Sequence, residues 1–336
     1  MKHANISLFV PHMGCPHQCS FCNQKTISGS VKELTPDDVT ATLESAIADG
    51  IDSENTEIAF FGGSFTAIPR DYMISLLEAA KPFIDKGDFC GIRVSTRPDA
   101  IDEDILDILK EYGVTSIELG AQSTDEEVLL LNRRGHTRQD VIEASALIKE
   151  NGFSLGLQIM TGLLGDNEER SLKTCEDIIS MKPDTVRIYP TITLEGTHLG
   201  ELYKSNGYEP QSLNEAVSLC SKLLKRFYDN DIQVIRLGLH SGGNVEEGYL
   251  AGPYHPAFGE LCQSEIYFDC AIKEIKNSGL EKDNIILYVR SSEISKMTGQ
   301  KGINKEKLRA LGYQVTIKGM DNLEKYEIKV ETKGRD

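Results

Sequence analysis

The sequence predicts an α/β protein: a partial parallel (β/α) barrel followed by a small α+β C-terminal extension. Three observations carry this. Over the first 240 residues, short β-like runs alternate with amphipathic helical stretches at roughly 30-residue spacing, the size of a βαβ unit. The rhythm breaks after Leu239. From residue 281 onward, 12 Lys and Arg face 9 Asp and Glu, a tail of +3 on a chain of net charge −16.

The strand candidates are residues 7–11, 57–61, 91–95, 116–119, 154–160, 185–189 and 233–237. Thr35-Pro36-Asp37-Asp38 reads as an N-cap with Pro at the first helical position. Residues 102–112 place Ile105, Leu106, Ile108 and Leu109 on one face, and Gly113 stops that helix. Residues 139–150 and 213–228 read the same way. Strands alternating with helices imply a parallel sheet. In such barrels the chemistry lies at the C-terminal strand ends. His240 to Asn244 and Gly252 to Pro256 read as loops. Residues 284–330 read strand, helix, helix, strand, strand. The expected division is therefore a core barrel over 1–240 and an extension over 241–336.

The 336 residues can bury a large core without staples. No apolar run reaches the ~18 residues of a membrane span. Residues 1–8 carry no signal-type apolar block, so a cytoplasmic location is expected. The acid excess argues against a general nucleic-acid-coating protein, though not against a local basic site.

Eight cysteines without an export signal argue for a reducing compartment rather than a disulfide framework. Three crowd together in Gly14-Cys15-Pro16-His17-Gln18-Cys19-Ser20-Phe21-Cys22-Asn23, just after the first strand. Cys15, Cys19 and Cys22 can wrap one metal centre. A structural zinc site wants four ligands, which His12 or His17 could complete. An iron–sulfur cube with three protein ligands leaves one iron open. Cys262 and Cys270 sit in a β-like stretch and read as buried structural thiols.

C-x-x-x-C-x-x-C with an aromatic, Phe21, before the third Cys resembles the radical S-adenosylmethionine (SAM) superfamily. That resemblance implies a radical SAM barrel, a [4Fe–4S] cluster on Cys15, Cys19 and Cys22, and SAM on the open iron. It implies reductive cleavage of SAM to a 5′-deoxyadenosyl radical, fed by an electron donor such as flavodoxin or ferredoxin. Phe60-Phe61-Gly62-Gly63-Ser64-Phe65 ends the second strand where the superfamily has a Gly-Gly-Glu-like turn that receives the SAM amino group. Ser64 replaces the acid, so the backbone role at Gly62 and Gly63 is what carries over. Gly-Gly alone reads as an ordinary turn.

Further motifs follow in order: Arg93-Val94-Ser95-Thr96-Arg97-Pro98-Asp99, Glu118-Leu119-Gly120-Ala121-Gln122-Ser123, Asn132-Arg133-Arg134-Gly135-His136-Thr137, Gln158-Ile159-Met160-Thr161-Gly162-Leu163 and Arg187-Ile188-Tyr189-Pro190-Thr191. Glu195-Gly196-Thr197, Leu202-Tyr203-Lys204 and Tyr208-Glu209-Pro210 extend the likeness over residues 5–240. They look like the radical SAM core of the Elongator catalytic subunit, which modifies wobble uridine in tRNA. Several are shared with oxygen-independent coproporphyrinogen oxidases. The resemblance implies that Gln122 and Arg134 hold SAM, Arg134 by pairing with its carboxylate. It implies that Gln158 bonds the ribose hydroxyls. Read singly, Arg97 and Arg133 are surface arginines. Tyr189 is a candidate to face the radical site, or a core aromatic. Ser95 stands where the Elongator subunit has Glu. That family's acetyltransferase domain, of roughly 150 residues by usual domain size, is not expected within these residues. The acetyl-CoA half of the reaction is therefore not carried over.

In the tail, Gly299-Gln300-Lys301-Gly302 lies between two helices and before a strand. This resembles a KH-type RNA-binding unit within 284–330. Its glycines would let backbone approach phosphate, with Lys301 and Lys305 adding charge. Its bland counterpart is a surface loop. The expected partner is tRNA or another RNA. Competing readings are a radical SAM enzyme on a small molecule such as a tetrapyrrole, and a non-catalytic metal-binding scaffold.

Overall fold

Strands β1 (Ala4–Val10), β2 (Thr56–Gly62), β3 (Gly91–Thr96), β4 (Val114–Gln122), β5 (Ser154–Thr161), β6 (Thr185–Pro190) and β8 (Gln233–Leu237) form one parallel sheet in that order. The sheet curls into a half-barrel. The computed structural model describes residues 4–10, 18–23, 33–239, 245–280 and 284–332. Every predicted strand is present. The crossover helices are α1 (Pro36–Ala48), α2 (Arg70–Asp85), α3 (Glu103–Glu111), α4 (Glu126–Leu131), α5 (Arg138–Glu150), α6 (Glu168–Met181), α7 (His198–Lys204) and α8 (Leu213–Asp229).

Local chemistry sets the helix starts. Thr35 and Asp38 form a capping box on α1, with Pro36 at the first position. Thr137 with Asp140 caps α5, and Ser212 with Glu215 caps α8. Gly113 takes φ +82 after α3, in the left-handed region that lets the chain turn into β4.

The strand period of two separates the sheet faces. Ile58, Phe60, Ile92, Val94, Ile117, Leu119, Leu155, Leu157, Val186 and Ile188 are buried in the main core. The alternate positions carry Glu57, Arg93, Glu118, Gln158 and Arg187, and the four charged ones meet one another across the concave face. Burying a Leu or Phe side chain contributes about 1.5–3 kcal/mol, so the apolar face drives folding and the other face is left for chemistry.

A short strand β7 (Thr193–Leu194) pairs antiparallel with β9 (Tyr249–Ala251), after the single turn α9 (Val245–Gly248). Helix α10 (Phe258–Asn277) then packs along α8. The tail follows as β10 (Asn284–Val289), α11 (Ile294–Thr298), α12 (Ile303–Ala310), β11 (Gln314–Gly319) and β12 (Lys329–Thr332), in the order predicted. Its sheet runs β11-β10-β12, with β10 parallel to β11 and antiparallel to β12. Tyr267 of α10, fully buried, ties the tail down by accepting a hydrogen bond from the Tyr326 amide at 3.1 Å.

Two expectations need correcting. Cys262 and Cys270 lie on helix α10, not in a β-like stretch, and of the two only Cys262 is buried, Cys270 being half-buried. The run Ile266-Tyr267-Phe268 has β-type composition, yet Phe258, Cys262, Ile266, Ala271 and Ile275 recur at helical spacing and are buried. Arg97 is not a surface residue: it is buried, paired with Asp99 at 2.8 Å and donating to the Arg134 carbonyl at 2.7 Å. Arg133 is exposed, as expected.

Candidate active site

The site candidates from the barrel gather at the C-terminal strand ends. Cys15 lies outside the described residues, as do His12 and His17, so the zinc alternative falls there too. Cys19 is buried and Cys22 half-buried on the segment leading from β1. Ser20, between them, is fully buried. Its hydroxyl donates to Asn132 Oδ1 at 2.6 Å, its amide to the Asn132 carbonyl at 3.2 Å, and its carbonyl accepts from the Leu199 amide at 2.8 Å. Asn132 in turn donates to the Val128 and Leu164 carbonyls. Asn23 donates to the Glu195 carbonyl at 2.9 Å. The cysteine segment is thus clamped by the end of α4 and the start of α7.

Arg134 reaches the cysteines from the same α4 end. Its Nη1 donates to Cys19 Sγ at 3.0 Å, its Nη2 to the Gly120 carbonyl at 2.6 Å, and its guanidinium lies 6.0 Å from the Phe21 ring centre. Metal-binding sulfur is thiolate, and a guanidinium donor suits that charge. Arg134 Nε is buried without a hydrogen-bond partner among the described residues. An unmet buried donor of this kind calls for an acceptor.

Gln122 ends β4 at φ +63, where the register to β5 shifts. The Ser123 amide donates to the Ala121 carbonyl at 2.8 Å, closing a tight turn centred on Gln122. Such backbone costs of order 1–3 kcal/mol and clusters at functional sites. The turn aims Gln122 Oε1 at Gln158 Nε2, 3.2 Å away on β5. Gly120 makes room: a Cβ there would stand 2.9 Å from Gln122 Nε2. Each amide has further donor and acceptor capacity beyond the bond they share. Beside them His136 is buried, with Nε2 3.1 Å from the Ala121 carbonyl. Burial, then the nearby Arg134 charge, lowers its pKa to about 4.

At the end of β2, Gly62 has φ +119, and a Cβ there would stand 2.3 Å from the Val10 carbonyl oxygen. The Gly63 amide donates to that same oxygen at 3.1 Å. The glycines therefore lock β2 against the strand leading to the cysteines. Ser64 is buried beside them. Tyr189 lies on the same face of β6 as Arg187 and is only half-buried, so it is not a fully enclosed core aromatic.

Three cysteines away from this loop, Cys175, Cys220 and Cys262, are buried and do not resemble ligands, whereas Cys90 is exposed. Burial pushes the Cys175 and Cys220 thiols up to about 12 and the Cys262 thiol well above its ordinary value. Among the described residues no group of three or more His, Cys, Asp and Glu gathers as a metal site. The three-thiol loop is represented there only by Cys19 and Cys22. Its donor set and the Arg134 contact fit a thiolate-ligated cluster.

Residues 9–178 match the radical SAM superfamily, and 183–267 match the radical SAM C-terminal domain. The chain belongs to the radical SAM superfamily. Members of that superfamily are enzymes whose cofactors are a [4Fe–4S] cluster and SAM. Within it, the chain is 30% identical over 201 residues to a tRNA uridine(34) acetyltransferase of Methanocaldococcus jannaschii, a match covering 54% of this chain and 37% of that one. It is 30% identical over 267 residues to Elongator complex protein 3 of Saccharomyces cerevisiae, covering 70% of this chain and 47% of that one. The radical SAM chain thus spans half or less of the length of these curated relatives. The fold is similar to that of Methanocaldococcus infernus Elp3 lacking its N-terminus, at TM-score 0.62 and 22% identity, covering 84% of this chain and 65% of that one.

The tail candidates stand apart from this radical SAM site. Gly299, Lys301, Gly302 and Lys305 lie on and after the turn between α11 and α12, and no described hydrogen bond or ion pair links them to the strand-end residues. Gly299 packs against Ser264 and Ile303, where a Cβ would meet atoms at 2.8 Å, whereas Gly302 faces open space. Lys301 and Lys305 are exposed. Lys296 and Lys307 are engaged by Glu293 and Glu265 at 2.8 and 2.7 Å.

Sequence reasoning missed the Ser20–Asn132 clamp and the charges inside the barrel. Arg93 Nε donates to Glu57 at 2.7 Å, Arg93 Nη1 to Glu118 at 3.2 Å and Arg187 Nη2 to Glu118 at 2.9 Å. The signal was present: each of these strands places one charge amid apolar residues.

Proposed function

We propose that this chain is a radical SAM enzyme of Elongator-like type that modifies tRNA or another RNA. The contact of Arg134 with Cys19, made by a guanidinium whose buried Nε has no partner among the described residues, carries the reading. Cys15, Cys19 and Cys22 would hold the [4Fe–4S] cluster, and Phe21, Gly62, Gly63, Ser64, Gln122, Arg134 and Gln158 would surround SAM. When bound and reduced by an external electron donor, the cluster would supply the electron for reductive cleavage of SAM. Arg134 holds its guanidinium where a carboxylate can be paired while its other end steadies the cysteine segment. Gln122 and Gln158 present amide donors and acceptors suited to hydroxyl groups. His136 stays neutral near pH 7 because it is buried and beside Arg134, so it adds no positive charge there. The likeness over the barrel to a curated tRNA uridine(34) acetyltransferase and to Elongator complex protein 3 supports RNA as substrate class. The exposed Lys301 and Lys305 support the tail as its contact.

Anaerobically reconstituted protein is expected to hold close to four irons per chain, the content of this cluster type, and to release 5′-deoxyadenosine from SAM with a reductant. Zinc in place of iron, with no cleavage, would overturn the reading.

A further inference from the structure

Two arginines stand side by side on the last strands of the half-barrel. Arg187 on β6 and Arg236 on β8 are register partners, so their side chains leave the same face of the sheet. Gln158 on β5 is the register partner of Arg187 on its other side. Gln158, Arg187 and Arg236 therefore occupy one layer across three strands. That layer begins at the amide proposed to face SAM and ends at the sheet's final strand.

The charges along this face do not balance. Glu57 pairs with Arg93, and Glu118 pairs with both Arg93 and Arg187. Arg236 makes no ion pair among the described residues, and its one hydrogen bond there runs from Nε to the Gly238 carbonyl at 3.1 Å. Among the described residues, three guanidiniums thus face two carboxylates. The arrangement stands out in a chain with 52 acidic residues against 36 basic ones, where an acid would have been easy to supply. Arg187 is further fixed by the Phe61 ring, whose centre lies 5.4 Å from its guanidinium carbon. Burial pulls the Arg236 pKa down, and the Arg187 charge adds to that. Tyr189, two positions past Arg187 on β6, leaves the same face of the sheet and is half-buried. A half-desolvated cation next to another is costly unless an anion answers it. The fork of a guanidinium matches the two oxygens of a carboxylate or phosphate.

We propose that Arg236, with Arg187 and Tyr189, forms an anion site that holds a carboxylate or phosphate group of the molecule entering the half-barrel. The inference rests on the reading that the concave face is the reaction chamber. It adds that the substrate is anchored by a negative group on the wall formed by β6 and β8, level with Gln158.

The test uses anaerobically reconstituted protein and simple anions as probes. Thermal unfolding is followed against sodium phosphate or sodium acetate, with chloride holding ionic strength constant. An anion that binds only the folded state raises the midpoint in a saturable way. The wild type is expected to respond saturably to at least one probe. Arg236→Gln should weaken that dissociation constant at least tenfold. Arg236→Lys, which keeps the charge without the fork, should fall between, and guards against a folding defect in the first variant. Lys81→Gln, on the outer surface, should match the wild type. A stronger phosphate response assigns a phosphate-bearing substrate, and a stronger acetate response a carboxylate-bearing one. No saturable response in the wild type, or an equal response in Arg236→Gln, overturns the proposal. Equilibrium binding of SAM to the wild type reports separately on the proposed function, so the two readings fail by different measurements.

Discussion

Replacing Glu118 by Gln removes one charge from the centre of the barrel without changing its shape. The Glu118 side chain is 5% exposed and serves two cations, Arg93 and Arg187. Arg93 keeps Glu57 at 2.7 Å, whereas Arg187 loses its one carboxylate among the described residues. Breaking a buried ion pair from one side costs about 3–5 kcal/mol, because the remaining charge is left uncompensated. The lower end applies here. Gln retains an acceptor oxygen, and the Arg187 side chain is 14% exposed and rests against Phe61. We expect a loss of about 3 kcal/mol. For 336 residues the unfolding entropy is about 0.7 kcal/mol/K at ~2.1 cal/mol/K per residue, so the midpoint should drop by about 4 °C. Thermal unfolding followed by far-ultraviolet circular dichroism under anaerobic conditions measures this. Adding Arg187→Met to Glu118→Gln should recover part of the loss, since the orphan cation is then gone. That coupling is read as the departure from additivity. A drop under about 1 °C in the single variant would show that water, not Glu118, balances these arginines, and the buried-ladder argument would fail.

His136 gives a pH dependence. Its pKa falls from the ordinary 6.5 to about 4 in the folded protein, so folding favours the neutral ring. The resulting stability is complete above pH ~6.5 and is lost as pH falls toward 4, by up to about 3 kcal/mol. His136→Asn should flatten the fall in unfolding midpoint between pH 6.5 and 4.5; parallel curves for the two proteins would refute this. Lys301→Glu with Lys305→Glu should weaken tRNA binding and lower the magnitude of its salt dependence, because phosphate contacts release counterions. Uncoupled SAM cleavage should be unchanged. Equal tRNA affinity at low and moderate salt would make the turn between α11 and α12 a plain surface loop.

Much of this protein is written in its local pattern. The period-two strands, the Thr35 cap and the order of the tail elements were legible because each depends on neighbours within a few residues. The three-cysteine loop and the polar Gln158 inside an apolar strand were legible for the same reason: their residue types are anomalous where they stand. Partnership was not legible. Arg134 meets Cys19 across 115 positions, and Ser20 meets Asn132 across 112. Those contacts exist only because the sheet curls and the α4 end folds over the first strand's exit. The same holds for Glu118, whose partners on β3 and β6 are set by strand order and register, and for Gln122, aimed by a shift in that register. Arg97 read as a surface residue because an arginine carries no local sign of a buried partner. Helix α10 read as β because the β-branched and aromatic run Ile266-Tyr267-Phe268 spoke louder than its helical spacing. Sequence periodicity fixes which face of an element is apolar, whereas the pairing of charges is decided by distances that only the assembled sheet creates.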